Sequence, residues 1–247
     1  MKPILEKRCC EMADILVAEK INSYYGKSHI LFDVSFAVRE GETLCLMGRN
    51  GAGKSTTFKT LVMDIVPKKG KVYFKGKDIT GMKSYKTARL GLGLVPEDRK
   101  IFGPLTVKEN LTLGTTMGKG RKGIWNLDLV YDFFPVLKDF QSRPGGTLSG
   151  GEQQMLTIAR TLMGNPLVLL LDEPTEGLSP VMVKTLKDLV LKLKEVGTTI
   201  LLSEQNIKFA MAVSDRVAII DKGHIRYESD IETFKGDDAI KKQYLAV

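Results

Sequence analysis

A glycine-rich stretch at residues 48–56 carries the clearest chemistry in this chain. It lies between an apolar run at 43–47, predicted as a strand, and a segment at 57–63, predicted as a helix. Glycines let backbone N–H groups approach phosphate oxygens without an intervening Cβ, and a helix N-terminus attracts the same anion. We therefore predict a nucleotide-phosphate site, with Lys54 at the β- and γ-phosphates and Ser55 on Mg²⁺. The residues expected to bind nucleotide here are Gly48, Asn50, Gly51, Gly53, Lys54, Ser55 and Thr56.

Two acids, Asp172 and Glu173, directly follow the apolar run 167–171. The carboxyl end of a buried strand is where α/β sheets place their ligands. Asp172 is suited to hold Mg²⁺ through water beside Ser55, and Glu173 to polarise an attacking water. The alternative is a pair of exposed acids in a strand-to-helix turn, and it loses weight once the phosphate loop is considered.

A second glycine-containing stretch comprises Ser149, Gly150, Gly151 and Glu152. Ser149 and Glu152 have the spacing of a capping box, which predicts a helix over 150–163. Glycine inside a helix costs about 1 kcal/mol relative to alanine, so two of them call for a reason. Bare backbone presented to an anion at a helix start is such a reason, and a plain capped helix is the alternative.

These residues require an α/β framework to bring them together. Strands are predicted at 15–19, 31–38, 43–47, 71–74, 90–95, 167–171, 198–203 and 216–221, and helices at 57–63, 181–195 and 206–213. Fully apolar strands such as 167–171 suit a parallel sheet covered on both faces. From about 100 to 160 the character is helical, with apolar spacing near 3.6 across 127–138. The expected fold is an α/β core with an inserted helical region.

The composition of the chain indicates how many domains it has and which classes of protein it does not belong to. The chain has 247 residues, 43% hydrophobic and 27% charged, which suits a single domain over 13–247. Residues 1–12, with adjacent Cys9 and Cys10, are expected to be a disordered extension. Three cysteines do not make a disulfide framework, and no apolar run is long enough to span a membrane. The net charge of +8 is scattered, which favours a solvated surface, with docking near a membrane as the next alternative, over nucleic-acid binding.

Together these motifs resemble the nucleotide-binding subunit of an ABC transporter over nearly all of residues 13–240. In that family 48–56 is the Walker A loop, Ser149 begins the signature motif, and 167–172 is Walker B with Glu173 as the catalytic carboxylate. Tyr25 stands where the family places an aromatic side chain that stacks on adenine. The resemblance implies a P-loop NTPase core with a mainly parallel sheet, an N-terminal antiparallel β subdomain and an inserted helical subdomain. It also implies ATP and Mg²⁺ as ligands.

Three positions depart from the general family pattern. Glu97 occupies the place of a metal- and water-sensing glutamine, Gln205 that of the switch histidine, and Ser179 that of an aspartate. Gln205 can donate a hydrogen bond to the γ-phosphate but cannot carry a charge. Ser179 followed by Pro180 still begins the next helix correctly. With Glu97 and Gln205, the chain resembles one ATPase of branched-chain amino-acid importers, with urea or short-amide importers as the alternative and a DNA-associated ABC ATPase as a remote one.

The resemblance also implies partners. Two ATPase domains are expected to close head-to-tail, so that the Walker A loop of one faces the signature residues Ser149–Gly151 of the other. We expect a paralogue as the second ATPase, with self-pairing left open. Integral-membrane permeases are expected to contact residues near 85–110, and a substrate-binding protein acts indirectly. The expected location is the cytoplasmic side of the cell membrane, held there through the permease, with no nucleic-acid partner.

Overall fold

The computed structural model describes residues 13–245, in which strands and helices alternate. The expected disordered extension at 1–12, including Cys9 and Cys10, lies outside the described residues. The described strands are β1 (Asp14–Tyr25), β2 (Ser28–Arg39), β3 (Thr43–Met47), β4 (Lys69–Phe74), β5 (Lys77–Asp78), β6 (Leu92–Val95), β7 (Val168–Asp172), β8 (Thr199–Glu204), β9 (Arg216–Asp221) and β10 (His224–Asp230). The described α-helices are α1 (Lys54–Leu61), α2 (Ser84–Leu90), α3 (Val107–Met117), α4 (Leu127–Phe133), α5 (Pro135–Asp139), α6 (Gly150–Leu162), α7 (Pro180–Glu195), α8 (Ile207–Val213), α9 (Ile231–Gly236) and α10 (Asp238–Leu245).

The strands form two sheets. The larger has the order β10-β9-β3-β8-β7-β6, parallel throughout except for the antiparallel pair β10 and β9. Every residue of β3, β7 and β8 is buried, as expected for parallel strands covered on both faces. The smaller sheet, β2-β1-β4-β5, is antiparallel and uses N-terminal strands. The predicted mainly parallel core and N-terminal antiparallel part are therefore confirmed.

Alternate side chains of β7 enter two different hydrophobic cores. Leu169 and Leu171 join a cluster built with residues of α6 and α7. Val168 and Leu170 join a second cluster that contains residues of α1 and of the antiparallel sheet. Because successive side chains of a strand point to opposite faces, β7 packs into a hydrophobic core on each side of the parallel sheet. This sandwich fixes the carboxyl ends of β3, β7 and β8, where the candidate site lies.

Four α-helices, α3 to α6, lie between β6 and β7 and form the predicted helical insertion. A capping box of Thr106 and Glu109 starts α3. Helices α3 and α6 pack closely at Gly114, where a Cβ atom would lie 2.1 Å from the backbone oxygen of Arg160. Only glycine permits this approach, so the packing of the insertion depends on that residue.

Local differences from the predicted elements have clear causes. Helix α1 begins at Lys54 rather than at 57, because its first turn is polar and gives no apolar periodicity. The segment 127–138 forms two short helices instead of one, and they meet at Phe134 before Pro135. Proline disfavours helical backbone in the residue before it, which explains the break.

Within residues 13–245 no helix has the length and apolar content that crossing a bilayer would require.

Candidate functional site

The candidate site lies at the carboxyl ends of three adjacent parallel strands. Strand β3 leads into the loop 48–53, and α1 begins directly after it. In the strand register Asp172 of β7 is opposite Ser203 of β8. The loop is shaped by its glycines: Gly53 caps α1 in the left-handed region with φ of 113°. A Cβ atom on Gly48 would lie 2.4 Å from the backbone oxygen of Ile220.

Lys54 is buried and already surrounded by oxygen atoms. Its ammonium Nζ donates to the backbone oxygens of Gly48, at 2.6 Å, and Arg49, at 2.9 Å. The same atom lies 3.1 Å from Oε1 of Glu173. A buried ammonium needs such partners because leaving it unpaired costs several kcal/mol. A phosphate group bound in the loop offers equivalent oxygens, so the lysine can exchange one set of partners for the other.

Asp172 is a buried carboxylate held by two hydroxyl groups. Ser203 Oγ donates to its Oδ1 at 2.6 Å, and Ser55 Oγ donates to the same oxygen at 3.2 Å. Burial raises the pKa of Asp172, and the charges of Glu173 and Glu97 add to this rise, whereas the two hydroxyls oppose it. The hydrogen bonds from the two hydroxyl groups therefore do not fully balance the burial and the nearby negative charges that disfavour the ionised form of Asp172. A bound cation would supply the missing positive charge.

The oxygen donors here fit Mg²⁺. This ion prefers hydroxyl, carboxylate and phosphate oxygens and keeps several waters, so one or two protein ligands suffice. Ser55 and Asp172 provide those ligands, already in contact with each other. Among residues 13–245 no group of three or more His, Cys, Asp or Glu side chains could hold a metal ion. The predicted third oxygen donor, Glu97, is exposed and makes no hydrogen bond to either residue.

Glu173 is fixed through both of its carboxylate oxygens. Oε1 faces Lys54, while Gln205 Nε2 donates to Oε2 at 2.6 Å. Its backbone N–H donates to Ser203 Oγ at 2.9 Å, and its φ of 43° is uncommon for a side-chain-bearing residue. The two groups predicted to contact the γ-phosphate, Lys54 and Gln205, thus both contact the predicted catalytic carboxylate.

A further carboxylate, Glu176, belongs to the same cluster. A turn places Glu176 beside Glu173, because the backbone N–H of Glu176 donates to the backbone oxygen of Glu173 at 3.1 Å. A hydrogen bond with the Glu173 carboxyl raises the pKa of Glu176, and burial and the charges of Glu173 and Glu97 contribute further. The cluster is therefore rich in negative charge around a single buried ammonium group.

Tyr25 ends β1 with 47% of its surface exposed. Its hydroxyl oxygen accepts a hydrogen bond from Lys59 Nζ, on α1, at 3.4 Å. The ring thus stands beside the helix that starts in the phosphate loop, and the Lys59 ammonium lies over it, 6.0 Å from its centroid. An exposed aromatic ring at this place is compatible with the predicted stacking on adenine.

The stretch around Ser149 is separate from the phosphate loop of its own chain. Ser149 caps α6 in a capping box with Glu152, as predicted, and Ser179 likewise caps α7. In the part of the chain that the structure describes, no hydrogen bond or ion pair joins Ser149–Gly151 to the loop 48–56.

Ser203 and Glu204 were missed from the sequence. Ser203 is fully buried and bonds both Asp172 and the backbone of Glu173. The Glu204 carboxylate accepts from the backbone N–H groups of Thr175, Gln205 and Asn206. Burial raises the pKa of Glu204, and these hydrogen bonds oppose the rise. The signal that could have revealed both residues is a pair of polar side chains ending an otherwise apolar strand.

Comparisons with known proteins agree on one family. The family described as "ABC transporter" matches residues 31–176. The branched-chain amino acid transport ATP-binding protein BraG of Pseudomonas aeruginosa is 39% identical, covering 85% of this chain and 91% of its own. LivF of Archaeoglobus fulgidus, a probable branched-chain amino acid transport ATP-binding protein, is 36% identical over 84% and 89%.

A third relative carries a different name. The lipopolysaccharide export system ATP-binding protein LptB of Haemophilus influenzae is 32% identical, covering 94% of this chain and 97% of its own. Among solved structures, a nucleotide-free ATP-binding cassette from an ABC transporter superposes with a TM-score of 0.79 at 26% identity, covering 95% of this chain and 99% of that one.

Proposed function

Because this chain belongs to the ABC transporter family and is an ATP-binding ATPase subunit, we propose that it powers import of branched-chain or other hydrophobic amino acids through a separate permease. The proposed ATP hydrolysis is supported by one observation, the contact network at the carboxyl ends of β3, β7 and β8. There Lys54 and Gln205 contact Glu173, while Ser55 contacts Asp172. These are the groups that phosphoryl transfer to water needs, gathered in one place.

The proposed reaction begins with an exchange of partners. Lys54 leaves the loop carbonyls and Glu173 to bind the β- and γ-phosphates of ATP. Gln205 turns its amide N–H from Glu173 to a γ-phosphate oxygen, which frees the carboxylate. Ser55 and Asp172 would hold Mg²⁺, which when bound supplies positive charge for the phosphate oxygens.

Glu173 then acts as the general base. It accepts a proton from a water molecule whose oxygen attacks the γ-phosphorus atom. The bond from that phosphorus to the bridging oxygen breaks, and ADP and phosphate leave. A positioned base of this kind contributes roughly 10²- to 10⁴-fold to a rate. Tyr25 holds the adenine ring by stacking, at a distance from the reacting atoms.

We further propose that two ATPase subunits pair head-to-tail. This is supported by the separation of Ser149–Gly151 from the phosphate loop of the same chain. The capped start of α6 offers backbone N–H groups and a favourable dipole for the γ-phosphate held by a partner. A paralogue is the expected partner, and self-pairing is an outcome that the experiment below distinguishes.

A cavity of about 590 Å³ supports docking of a permease. It lies between the α/β core and the helical insertion, and four of its lining side chains are large, apolar and exposed: Tyr85, Phe102, Leu113 and Met117. Exposed apolar groups gathered in one concave surface mark an interaction site. The cytoplasmic loops of the permease are the proposed occupant, which agrees with the predicted contact region near 85–110.

The amino-acid substrate class rests on the relatives named for branched-chain amino-acid transport, together with Glu97 and Gln205. Importers of urea or short amides are the alternative. A relative named for lipopolysaccharide export shows that similar ATPases serve other cargo. A DNA-associated ATPase needs a long coiled-coil insertion, whereas the longest described helix between residues 57 and 148 has 11 residues.

The test compares four preparations of the purified chain: alone, with double-stranded DNA, and in vesicles with candidate permease subunits, either with or without a second ATPase. We expect weak MgATP hydrolysis alone, strong hydrolysis in vesicles, and ATP-dependent uptake of labelled leucine. Uptake of labelled urea instead would favour the alternative. Stimulation by DNA, or no hydrolysis in any preparation, would overturn the transport proposal.

A further inference from the structure

Arg99 lies between the cavity and the loops that shape the candidate site. The segment 96–103 follows β6, and Pro96, Lys100 and Phe102 of this segment line the cavity. Arg99 is absent from that lining, and its guanidinium reaches the other way. Nη2 donates to the backbone oxygen of Glu176 at 3.4 Å. One short segment thus contacts both the cavity and the turn that follows β7.

The backbone of this segment is held in an unusual conformation. Arg99 and Lys100 have φ values of 61° and 45°, in the left-handed region that residues with side chains seldom adopt. Two side chains of helix α6 stabilise this conformation. Thr157 Oγ1 donates to the backbone oxygen of Arg99 at 2.8 Å, and Arg160 Nη2 donates to the backbone oxygen of Lys100 at 2.8 Å. A costly conformation persists where its surroundings enforce it, and such positions concentrate at functional sites.

The guanidinium also rests against the start of α6. A Cβ atom on Gly150 would lie 2.9 Å from Arg99 Nη1, and one on Gly177 would lie 3.7 Å from Nη2. A cation beside a helix N-terminus is disfavoured by the helix dipole. The position of Arg99 is therefore not explained by its interaction with α6 alone. It bridges the start of α6 at Gly150 and the turn at Glu176.

We propose that Arg99 is a positioning residue that ties the cavity-lining segment 96–103 to the start of α6 and to the turn after β7. This rests on the proposed head-to-tail pairing, in which the start of α6 faces the phosphate loop of the partner. Among the described residues Arg99 forms no hydrogen bond or ion pair with the phosphate loop of its own chain. Its removal should therefore disturb hydrolysis across the pair and leave nucleotide binding within one chain unchanged.

The test compares Arg99→Ala, Arg99→Lys and the control Arg39→Ala in the full chain. Arg39 is an exposed arginine at the end of β2, and among the described residues its side chain forms no hydrogen bond or ion pair. We expect Arg99→Ala to lower kcat by roughly tenfold, the value of a charge-assisted hydrogen bond. The dissociation constant for ADP should stay unchanged. Arg99→Lys should recover part of kcat, because an ammonium can still donate to the Glu176 oxygen, and Arg39→Ala should match wild type.

Amide hydrogen exchange gives a second readout that does not require hydrolysis. Arg99→Ala should speed exchange in 149–153 and 174–178, and Arg39→Ala should not. Unchanged exchange in both segments overturns the proposal, as does a kcat equal to wild type. An equal loss in the Arg39→Ala control also overturns it, since the effect would then follow from the loss of any surface arginine. Failure of the proposed function looks different, because the wild-type chain itself would not hydrolyse ATP in any pairing.

Discussion

Replacing Glu173 by glutamine separates two roles that we propose for this side chain. As the proposed general base it would be needed for hydrolysis, so Glu173→Gln should lower kcat by roughly 10²- to 10⁴-fold. As the partner of Lys54, at 3.1 Å, it would also compete with phosphate for the ammonium group. The amide keeps the size of the side chain and one acceptor oxygen, and it removes the charge.

The size of the effect on nucleotide affinity follows from the change in the contact between Lys54 and residue 173. Hydrogen bonds that involve a charged group contribute about 1.5–3 kcal/mol, and replacing the charged acceptor of Lys54 by a neutral one moves its contact from the upper to the lower end of that range. The substitution therefore weakens the contact that nucleotide must break by about 1.4 kcal/mol. That difference corresponds to roughly tenfold tighter nucleotide binding.

ADP is the ligand that distinguishes the two roles. Loss of the base alone would accumulate an ATP-bound closed pair and raise the apparent affinity for ATP only. Release of Lys54 should tighten ADP binding as well, because the β-phosphate is one of its predicted ligands. Calorimetric titration with ADP and ATP measures both, with Asp128→Asn, an exposed acid of α4, as the charge control. Unchanged ADP affinity would refute the competition, and normal hydrolysis would refute the role as base.

Three further predictions concern the neighbours of Glu173. Gln205→Ala should lower kcat more than it changes affinity for ATP or ADP, because its proposed phosphate contact is to the γ-phosphate; equal losses for both nucleotides would indicate misfolding instead. Ser203→Ala removes two buried hydrogen bonds and should cost about 1–3 kcal/mol in the free energy of unfolding, measured by urea denaturation, and should weaken the dependence of ATP binding on Mg²⁺. Asp172→Asn should stabilise the nucleotide-free protein at about pH 8 and not at about pH 3. Its folded pKa is raised, so the wild-type carboxyl is protonated in both states at low pH, and its buried charge reduces stability as pH rises through the folded pKa. Equal effects at both pH values would contradict that assignment.

The sequence predicted best those elements whose signals are local. Strand β3 was predicted with its observed bounds because a fully apolar run leaves few alternatives. The starts of α6 and α7 followed from capping residues that act within one turn. Strand β10 and helices α9 and α10 were not predicted, because β10 is half-exposed and mixes charged with apolar residues. Packing against β9 decides its conformation, and that is not a local property.

The same distinction applies to the site. Lys54, Ser55, Asp172 and Glu173 stand in motifs, so their residue types and spacing were enough to select them. Ser203 acts through its register opposite Asp172 on the neighbouring parallel strand. Strands that are distant in sequence can pair in several registers, and the choice depends on the whole sheet. The contact of Gln205 with Glu173 depends on the same pairing, which is why its position was predicted and its partner was not.

The ion pair between Lys54 and Glu173 contributes little to the free energy of unfolding. Both groups are buried, and desolvation of two charges cancels most of their attraction, so an apolar pair of the same volume is often more stable. What the ion pair offers Lys54 is a carboxylate partner that a phosphate group can replace. In the proposed reaction Lys54 exchanges one anion for another, and Glu173, left without its cation, becomes a better acceptor for a proton from water. Nucleotide binding and activation of the proposed base would thus be one exchange of partners around the Lys54 ammonium group.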